Sequence, residues 1–216
     1  AQNAAERARG LSRRLMQGGS SHQPETAILR LPDLVRECVG FVIGSSNCRV
    51  TPELSPQLWP VRADEGHLCQ ILNNLLINAT QAMPDGGLIR VRARNRELTA
   101  DHPSGLGPGA FVEVEVADAG PGIPEPALSR IFDPYFTTKP TGTGLGLANC
   151  LALAQVNFGH LSAESPPEQG AIFRLLLPAE CEPRHAGGMP SPHASHDYTG
   201  KGRVLVIDDE AMIRQI

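Results

Sequence analysis

Long apolar runs are absent from this chain, and so are other features that would assign it quickly to a class. No apolar segment approaches the ~20 residues that a membrane-spanning helix needs. Aromatic residues make up only 4% of the sequence, with Trp59 as the single tryptophan. A net charge of −4 and a pI near 6.0 provide none of the basic surface that nucleic-acid-binding proteins carry. We therefore expect no nucleic-acid partner. We also expect a cytoplasmic location for this part of the protein, whether or not the parent protein is anchored in a membrane elsewhere.

Cysteines are few and show no metal-binding pattern. Their number is odd and no CxxC spacing occurs among Cys38, Cys48, Cys69, Cys150 and Cys181. Buried thiols in a reducing compartment are favoured over disulfides or zinc ligation. The 216 residues suffice for one core with appendages. Because the sequence begins at Ala1 without an initiator Met or a signal peptide, we interpret it as a fragment of a longer protein.

The most informative stretch lies between Asp118 and Leu147. It reads DAGPGIP at 118–124, IFDPYFTTK at 131–139 and GTGLGL at 142–147. Glycines let the backbone approach a ligand closely, and the second glycine cluster leads into an apolar-periodic helix, whose free N–H groups suit phosphate. Two other glycine motifs fit less well. A GxGxxG motif directly follows a strand, whereas GTGLGL follows a loop, and a Walker A loop ends in Gly-Lys-Ser/Thr, which this sequence lacks. The stretch predicts a nucleotide site with a flexible cover, in which Asp118 can accept from an amino group.

A polar stripe marks the helix predicted from Asp64 to about Met83. One face is apolar, with Leu68, Ile71, Leu72, Leu75, Leu76 and Ala79. The other side carries uncharged polar residues at steps of three or four, namely His67, Gln70, Asn74, Asn78 and Gln81. Asparagine prefers caps to helix interiors, and solvent-facing stripes usually use Lys and Glu. The pattern favours Asn74 and Asn78 as oxygen donors to hydrated Mg²⁺ over a solvent face, and Asn73, off the stripe, is interpreted as structural.

The remaining segments predict one α/β domain. Strands are expected at 26–31, 48–54, 58–62, around 89–96 and 112–116, and at 160–164 and 171–177, with further helices from 33 to about 43 and after 145. The last helix is expected to bury Leu145, Leu147, Ala148, Leu151, Ala154 and Phe158. Three helices and one mixed, mostly antiparallel sheet form a two-layer sandwich. The arginines at 90, 92, 94 and 96 are expected to pair with Glu113 and Glu115 across strands, an account preferred over an anionic partner.

Taken in order, these motifs resemble the ATP-binding catalytic domain of two-component sensor histidine kinases. The segment QILNNLLINA at 70–79 resembles the N box, DAGPGIP the G1 box, FDPYFTTK the F box and GTGLGL the G2 box. The resemblance covers roughly residues 25–180 and implies the Bergerat-type fold that is shared with DNA gyrase, MutL-type proteins and the heat-shock chaperone.

Both flanking regions also resemble parts of these kinases. Residues 1–20, with a helix predicted at Ala4–Gln17, resemble the end of a dimerisation and phosphoacceptor hairpin. Residues 181–201 are interpreted as a linker rich in Pro, Gly, Ser and His. Residues 202–216, with the acidic run Asp208-Asp209-Glu210, resemble the start of a receiver domain, as in hybrid kinases.

The resemblance implies roles for individual residues. Asn78 would hold Mg²⁺, Asp118 would accept from the adenine amino group, and Asn74 with Lys139 would form the catalytic pair. The full set of ATP-contacting residues implied in this way is Asn74, Asn78, Asp118, Gly120, Gly122, Ile123, Thr138, Lys139, Gly142, Thr143, Gly144, Leu145 and Gly146. Because the hydrolytic relatives have Glu where Asn74 stands, and an amide cannot take a proton from water, the site is expected to hold ATP for transfer.

Two departures from the family pattern qualify this interpretation. Ala171 replaces the Thr of the usual GTxF run and removes a hydroxyl from the adenine side. No acceptor histidine is visible, since none of His22, His67, His102, His160, His185, His193 and His196 falls on a helix of the dimerisation type. The implied function is that of a protein histidine kinase, using ATP and Mg²⁺, acting on a hairpin of a homodimeric parent and on a receiver domain. The alternative is a degenerate nucleotide-binding docking module without kinase activity.

Overall fold

A computed structural model describes residues 26–43, 46–139 and 142–180 of the chain. The predicted helix at Ala4–Gln17, the linker from 181 and the receiver-like segment therefore lie outside the described residues. The described strands are β1 (Thr26–Leu29), β2 (Arg49–Leu54), β3 (Val61–Asp64), β4 (Leu88–Leu98), β5 (Gly109–Asp118), β6 (His160–Glu164) and β7 (Ile172–Pro178). The helices are α1 (Leu31–Ile43), α2 (Glu65–Ala82), α3 (Glu125–Leu128) and α4 (Gly146–Val156). Within these described ranges no helix has the length and apolarity required to cross a membrane.

Five strands form one mixed sheet in the order β2-β4-β5-β7-β6. Strands β2 and β4 are parallel, and the other three pairs are antiparallel, which confirms the predicted fold class. One detail of the prediction was wrong, because β1 and β3 pair with each other in a separate two-stranded sheet. Strand β3 begins at Val61 rather than Leu58, immediately after Pro60, which has no N–H to donate to a ladder.

The core lies between one face of the five-stranded sheet and the long helices. All six apolar residues predicted for α2 are buried, which confirms that stripe. The side chain of Asp64 accepts a hydrogen bond from His67 N at 3.0 Å and so caps the helix as expected. All four described cysteines are buried, and Cys38, Cys48 and Cys150 are free thiols.

Charged residues pair across the opposite face of the sheet. Arg94 and Arg96 both contact Glu113, while Arg92 and Arg174 both contact Glu115. The two glutamates are buried beneath arginine side chains that are more exposed than they are, so each carboxylate is compensated where it is shielded from water. The predicted cross-strand pairing is thereby confirmed for Arg92, Arg94 and Arg96. It was wrong for Arg90, which lies opposite Ala117 and forms no ion pair with either glutamate among the described residues.

The end of α4 differs from the prediction. Phe158 was expected in the buried stripe, but it is 78% exposed and has φ of 57°. The helix has already ended at Val156, and Gly159 N donates to Ala154 O. Phe158 therefore takes the left-handed conformation found at helix C-termini. Cys150, which was not assigned to the stripe, is fully buried together with Ala154.

Candidate nucleotide site

A cavity of about 610 Å³ opens between the polar side of α2, the ends of β5 and β7, and the glycine-rich segment that precedes α4. Its volume falls in the ordinary range for small-molecule sites. Eleven of the thirteen predicted site residues line it, namely Asn74, Asn78, Asp118, Gly122, Ile123, Thr138, Lys139, Gly142, Thr143, Gly144 and Gly146. The other two, Gly120 and Leu145, are not part of its lining.

Asp118 is the last residue of β5 and is 6% exposed. Its Oδ1 atom accepts hydrogen bonds from Gly120 N at 2.9 Å and from Ala171 N at 3.2 Å. These two donors fix the carboxylate, so Gly120 contacts Asp118 although it does not line the cavity. The second oxygen, Oδ2, accepts no hydrogen bond from the described residues, so it is available to an amino group in the cavity.

The polar stripe of α2 divides into two halves. Asn74, Asn78 and Gln81 line the cavity, but His67 and Gln70 do not. His67 Nδ1 instead lies 3.2 Å from Asn157 Nδ2, at the contact between the start of α2 and the end of α4. The C-terminal half of the stripe therefore lines the cavity, whereas His67 in the N-terminal half contacts α4.

Lys139 joins the polar stripe from the other side of the cavity. Its Nζ donates to Asn78 Oδ1 at 3.0 Å and to Gln81 Oε1 at 2.6 Å. Partial burial lowers the pKa of Lys139 from its usual range, because desolvation disfavours the charged ammonium. The amide oxygen of Asn78 thus already accepts from a cationic group, and the same oxygen could serve as a ligand to a divalent metal.

Residues 133–141, called the lid below, connect the aromatic segment to the second glycine cluster. Tyr135 N donates to Gly144 O at 2.9 Å, and Lys139 N donates to Thr137 Oγ1 at 3.1 Å. The guanidinium of Arg130 lies 4.6 Å from the centre of the Phe136 ring, which lines the cavity. The described part of the lid forms no helix or strand and is held by such turn contacts and by the two hydrogen bonds of Lys139 Nζ.

Asn73 behaves differently from its neighbour Asn74. It is 6% exposed, does not line the cavity, and its Oδ1 has no hydrogen-bond partner among the described residues. Its assignment as a residue outside the site agrees with this position.

Two residues with site-related contacts were missed at the sequence level. Ser165 Oγ accepts from Ile123 N and donates to Gly170 O, which links the first glycine cluster to the β6–β7 loop. Asn157 Oδ1 accepts from Asp64 N at 2.9 Å and ties α4 to the start of α2. Both lie outside any periodic pattern, so only the tertiary structure shows their partners.

The donor set suits a magnesium nucleotide better than an all-protein metal site. No cluster of three or more His, Cys, Asp or Glu side chains that could hold a metal occurs in the described part of the chain. Mg²⁺ commonly takes one or two protein oxygens together with substrate phosphates and waters. A single amide oxygen at Asn78, within the same cavity as Asp118, fits that arrangement.

Sequence comparison relates the chain to known kinases. Sensor kinase CckA of Brucella abortus is 32% identical over 224 residues, which cover 97% of this chain and 24% of the relative. Sensory histidine kinase/phosphatase NtrB of Rhodobacter capsulatus is 34% identical over 166 residues, which cover 75% of this chain and 46% of the relative. The chain thus spans less than half the length of either relative.

Solved structures show the same fold. The catalytic domain of histidine kinase ThkA matches with a TM-score of 0.59 and 30% identity, covering 72% of this chain and 96% of that one. Full-length ShkA in complex with AMPPNP matches with a TM-score of 0.60 and 25% identity, covering 82% of this chain and 37% of that one. Residues 63–180, which contain α2, the cavity and the sheet from β4 to β7, match the family of histidine kinase-, DNA gyrase B- and HSP90-like ATPases. The chain belongs to this ATPase family, and its relatives named above are sensor histidine kinases.

Proposed function

We propose that this chain binds Mg-ATP and supplies the γ-phosphoryl group to a histidine in two-component signalling. The observation that carries the proposal is that Asp118, Asn78 and Lys139 line one cavity. A fixed carboxylate for a base, an amide oxygen for a metal and an ammonium for phosphates are the three recognition elements that a magnesium nucleotide requires.

Base recognition rests on Asp118. Because Oδ1 is held by two backbone N–H groups, Oδ2 has a defined direction and can accept from the adenine amino group. The apolar residues Ile123, Ile131 and Phe173 line the same cavity and suit the faces of a purine ring.

Phosphate recognition rests on the polar stripe and on the start of α4. Asn78 would hold Mg²⁺, which when bound neutralises charge on the phosphate oxygens. Lys139 would then move from Asn78 to the phosphates. The backbone N–H groups of Gly144 and Gly146, at the N-terminus of α4, can donate to the same oxygens.

Asn74 favours transfer over hydrolysis. It lines the cavity one helical turn before Asn78, but its amide cannot remove a proton from water. Transfer requires an acceptor nitrogen in line with the γ-phosphorus, where the new N–P bond forms as the bond to ADP breaks. The three histidines among the described residues serve other contacts or elements: His67 lies on α2 against Asn157, His102 contacts Ser104 in the β4–β5 loop, and His160 begins β6. Because the sequence places none of the remaining histidines on a helix of the dimerisation type, we propose that the acceptor lies on a helical hairpin outside this chain.

The partners follow from the sequence resemblance of the flanking regions. Residues 1–20 would continue into the phosphoacceptor hairpin of a homodimeric parent, and residues 202–216 would open a receiver domain after the 181–201 linker. Residues 25–180 form the ATP-binding domain in this proposal. The need for ATP and the buried free thiols support a cytoplasmic location.

A second candidate is a docking module that binds nucleotide weakly and lacks kinase activity. Ala171 is the observation that favours it, because it lines the cavity where the family usually has a threonine with its hydroxyl. The two candidates differ in nucleotide affinity and in the fate of the γ-phosphate.

Calorimetric titration with ATP, with and without Mg²⁺, separates the candidates. Kinase function predicts metal-dependent binding, followed by labelling of a separately supplied histidine hairpin from γ-labelled ATP. Metal-independent, weak binding with no transfer to any hairpin would support the docking module. Rapid release of inorganic phosphate by the chain alone would contradict both and would indicate a hydrolytic ATPase.

A further inference from the structure

Ser165 forms a bridge between two loops at the base side of the cavity. Its Oγ accepts a hydrogen bond from Ile123 N at 2.7 Å and donates one to Gly170 O at 3.0 Å. The residue is only partly buried, lies just after β6 and is not part of the cavity lining. Its hydroxyl is therefore engaged with the protein on both sides rather than with a ligand.

Both bridged loops lead to Asp118. Gly170 precedes Ala171, whose N–H donates to Asp118 Oδ1 at 3.2 Å and whose carbonyl accepts from Asp118 N at 3.0 Å. Ile123 lies five residues after Asp118 in the first glycine cluster and lines the cavity. A change at Ser165 is thus transmitted to the carboxylate through one loop and to an apolar wall through the other.

The backbone of both loops packs tightly around the Ser165 bridge. Gly122 has φ of 78°, and a Cβ added to it would lie 2.6 Å from Ser165 Oγ. Gly170 has φ of 77°, and a Cβ there would overlap the backbone of Asp118. Glycine is required at both positions because the two backbones approach the bridge this closely.

We propose that Ser165 is a positioning residue for purine recognition, which holds the Gly122–Ile123 and Gly170–Ala171 segments at the spacing that aims Asp118 at the base. This inference rests on the proposed function, since it assigns base selectivity to the same cavity. Loss of the bridge lets both segments relax, so the direction of Asp118 Oδ2 is no longer defined. Selectivity for adenine then falls, while the metal and phosphate contacts at Asn78 and Lys139 are unchanged.

The isosteric pair Ser165→Thr and Ser165→Val isolates the hydroxyl, and Ser165→Ala removes it without adding bulk. Ser162→Ala, the same change on the adjoining strand β6, is the matched control. Affinities for ATP and GTP are measured by titration with and without Mg²⁺, and folding is checked by thermal unfolding. We expect Ser165→Ala and Ser165→Val to lower the ATP-to-GTP affinity ratio about tenfold, the equivalent of one to two ordinary hydrogen bonds. Ser165→Thr and Ser162→Ala should retain the ratio, and the effect of Mg²⁺ should be the same in every variant.

Three results would overturn the inference. Ser165 would be only a structural residue if the ATP-to-GTP affinity ratio were unchanged in Ser165→Ala. The same holds if Ser165→Thr and Ser165→Val gave equal ratios, or if Ser165→Ala unfolded before nucleotide could be titrated. Failure of the parent chain to bind ATP would instead overturn the proposed function. The two failures are therefore distinguishable in one experiment.

Discussion

Lys139 Nζ and Asn78 Oδ1 lie 3.0 Å apart, although one residue belongs to the lid and the other to the middle of α2. Gln81, one turn further along the helix, accepts from the same ammonium at 2.6 Å. The lid lysine is therefore held on the amide oxygen that we assign to Mg²⁺. A metal at this oxygen would compete with Lys139, so we expect metal binding to be linked to movement of the lid.

Asn78→Ala should abolish the metal dependence of ATP binding. A hydrogen bond or ligand contact to a charged group contributes about 1.5–3 kcal/mol, so the gain in ATP affinity on adding Mg²⁺ should fall by about 10- to 100-fold.

Lys139→Ala should weaken ATP binding both with and without Mg²⁺, since it removes a phosphate contact. Asn149→Ala, at an exposed position on α4, is the matched control. A variant at Asn78 that keeps the parent's metal dependence would remove that residue from the metal site.

Asp118→Asn should change base preference rather than fold. Its Oδ1 can still accept from Gly120 N and Ala171 N, so the amide nitrogen takes the position of Oδ2 and becomes a donor. Affinity for ATP should fall at least tenfold, since two donors then face each other, while affinity for GTP should hold or rise. Asp85→Asn, in the exposed turn after α2, is the control, and thermal unfolding checks the fold. If the variant lost ATP and GTP affinity equally, Asp118 would not recognise the base.

The lid should be the part of the described fold that responds most to nucleotide. The amides of Tyr135, Phe136 and Lys139 donate hydrogen bonds, but residues 135–139 belong to no helix or strand, whereas residues 112–116 lie in a strand that is paired on both sides. Hydrogen exchange at 135–139 should be fast in the empty protein and should slow on addition of Mg-ATP. Full protection of the lid before any nucleotide is added would contradict this expectation.

Ala171→Thr should strengthen ATP binding. The residue lines the cavity and uses only its backbone to contact Asp118, so an added hydroxyl can serve the ligand without disturbing that contact. We expect a gain of about three- to tenfold in affinity, as for one new hydrogen bond. Ala171→Val fills the same volume without a hydroxyl and should give no gain. Equal ATP affinities in the two variants would show that the missing hydroxyl at position 171 does not weaken nucleotide binding.

Much of the fold could be predicted because its causes are local. The spacing of apolar residues in α2 determines which face is buried, and the alternation of Arg and Glu on β4 and β5 determines their pairing. The glycine clusters and the stripe with Asn74 and Asn78 predicted the candidate site, because glycine permits close approach of a ligand and asparagine is unusual inside a helix. The structure brings them to one cavity.

The errors and omissions all depend on tertiary contacts. Phe158 has the right spacing for a buried stripe, but the helix ends before it. Gly120 was expected to line the cavity, whereas it acts through Asp118. Ser165 sits in a loop with no periodicity, and its two partners are 42 and five residues away in sequence. The separation of β1 and β3 from the main sheet is likewise a matter of long-range pairing.

Transfer of phosphate to a supplied histidine tests the central claim most directly. The chain is incubated with γ-labelled Mg-ATP alone and then with a separately folded helical hairpin that carries an acceptor histidine, with the Asn78→Ala variant run in parallel. We predict no label on the chain alone, acid-labile label on the histidine of the hairpin when both are present, and at least a tenfold loss with the variant. Efficient acid-labile labelling of the chain by itself, or labelling of the hairpin that is equal with Asn78→Ala, would contradict the account.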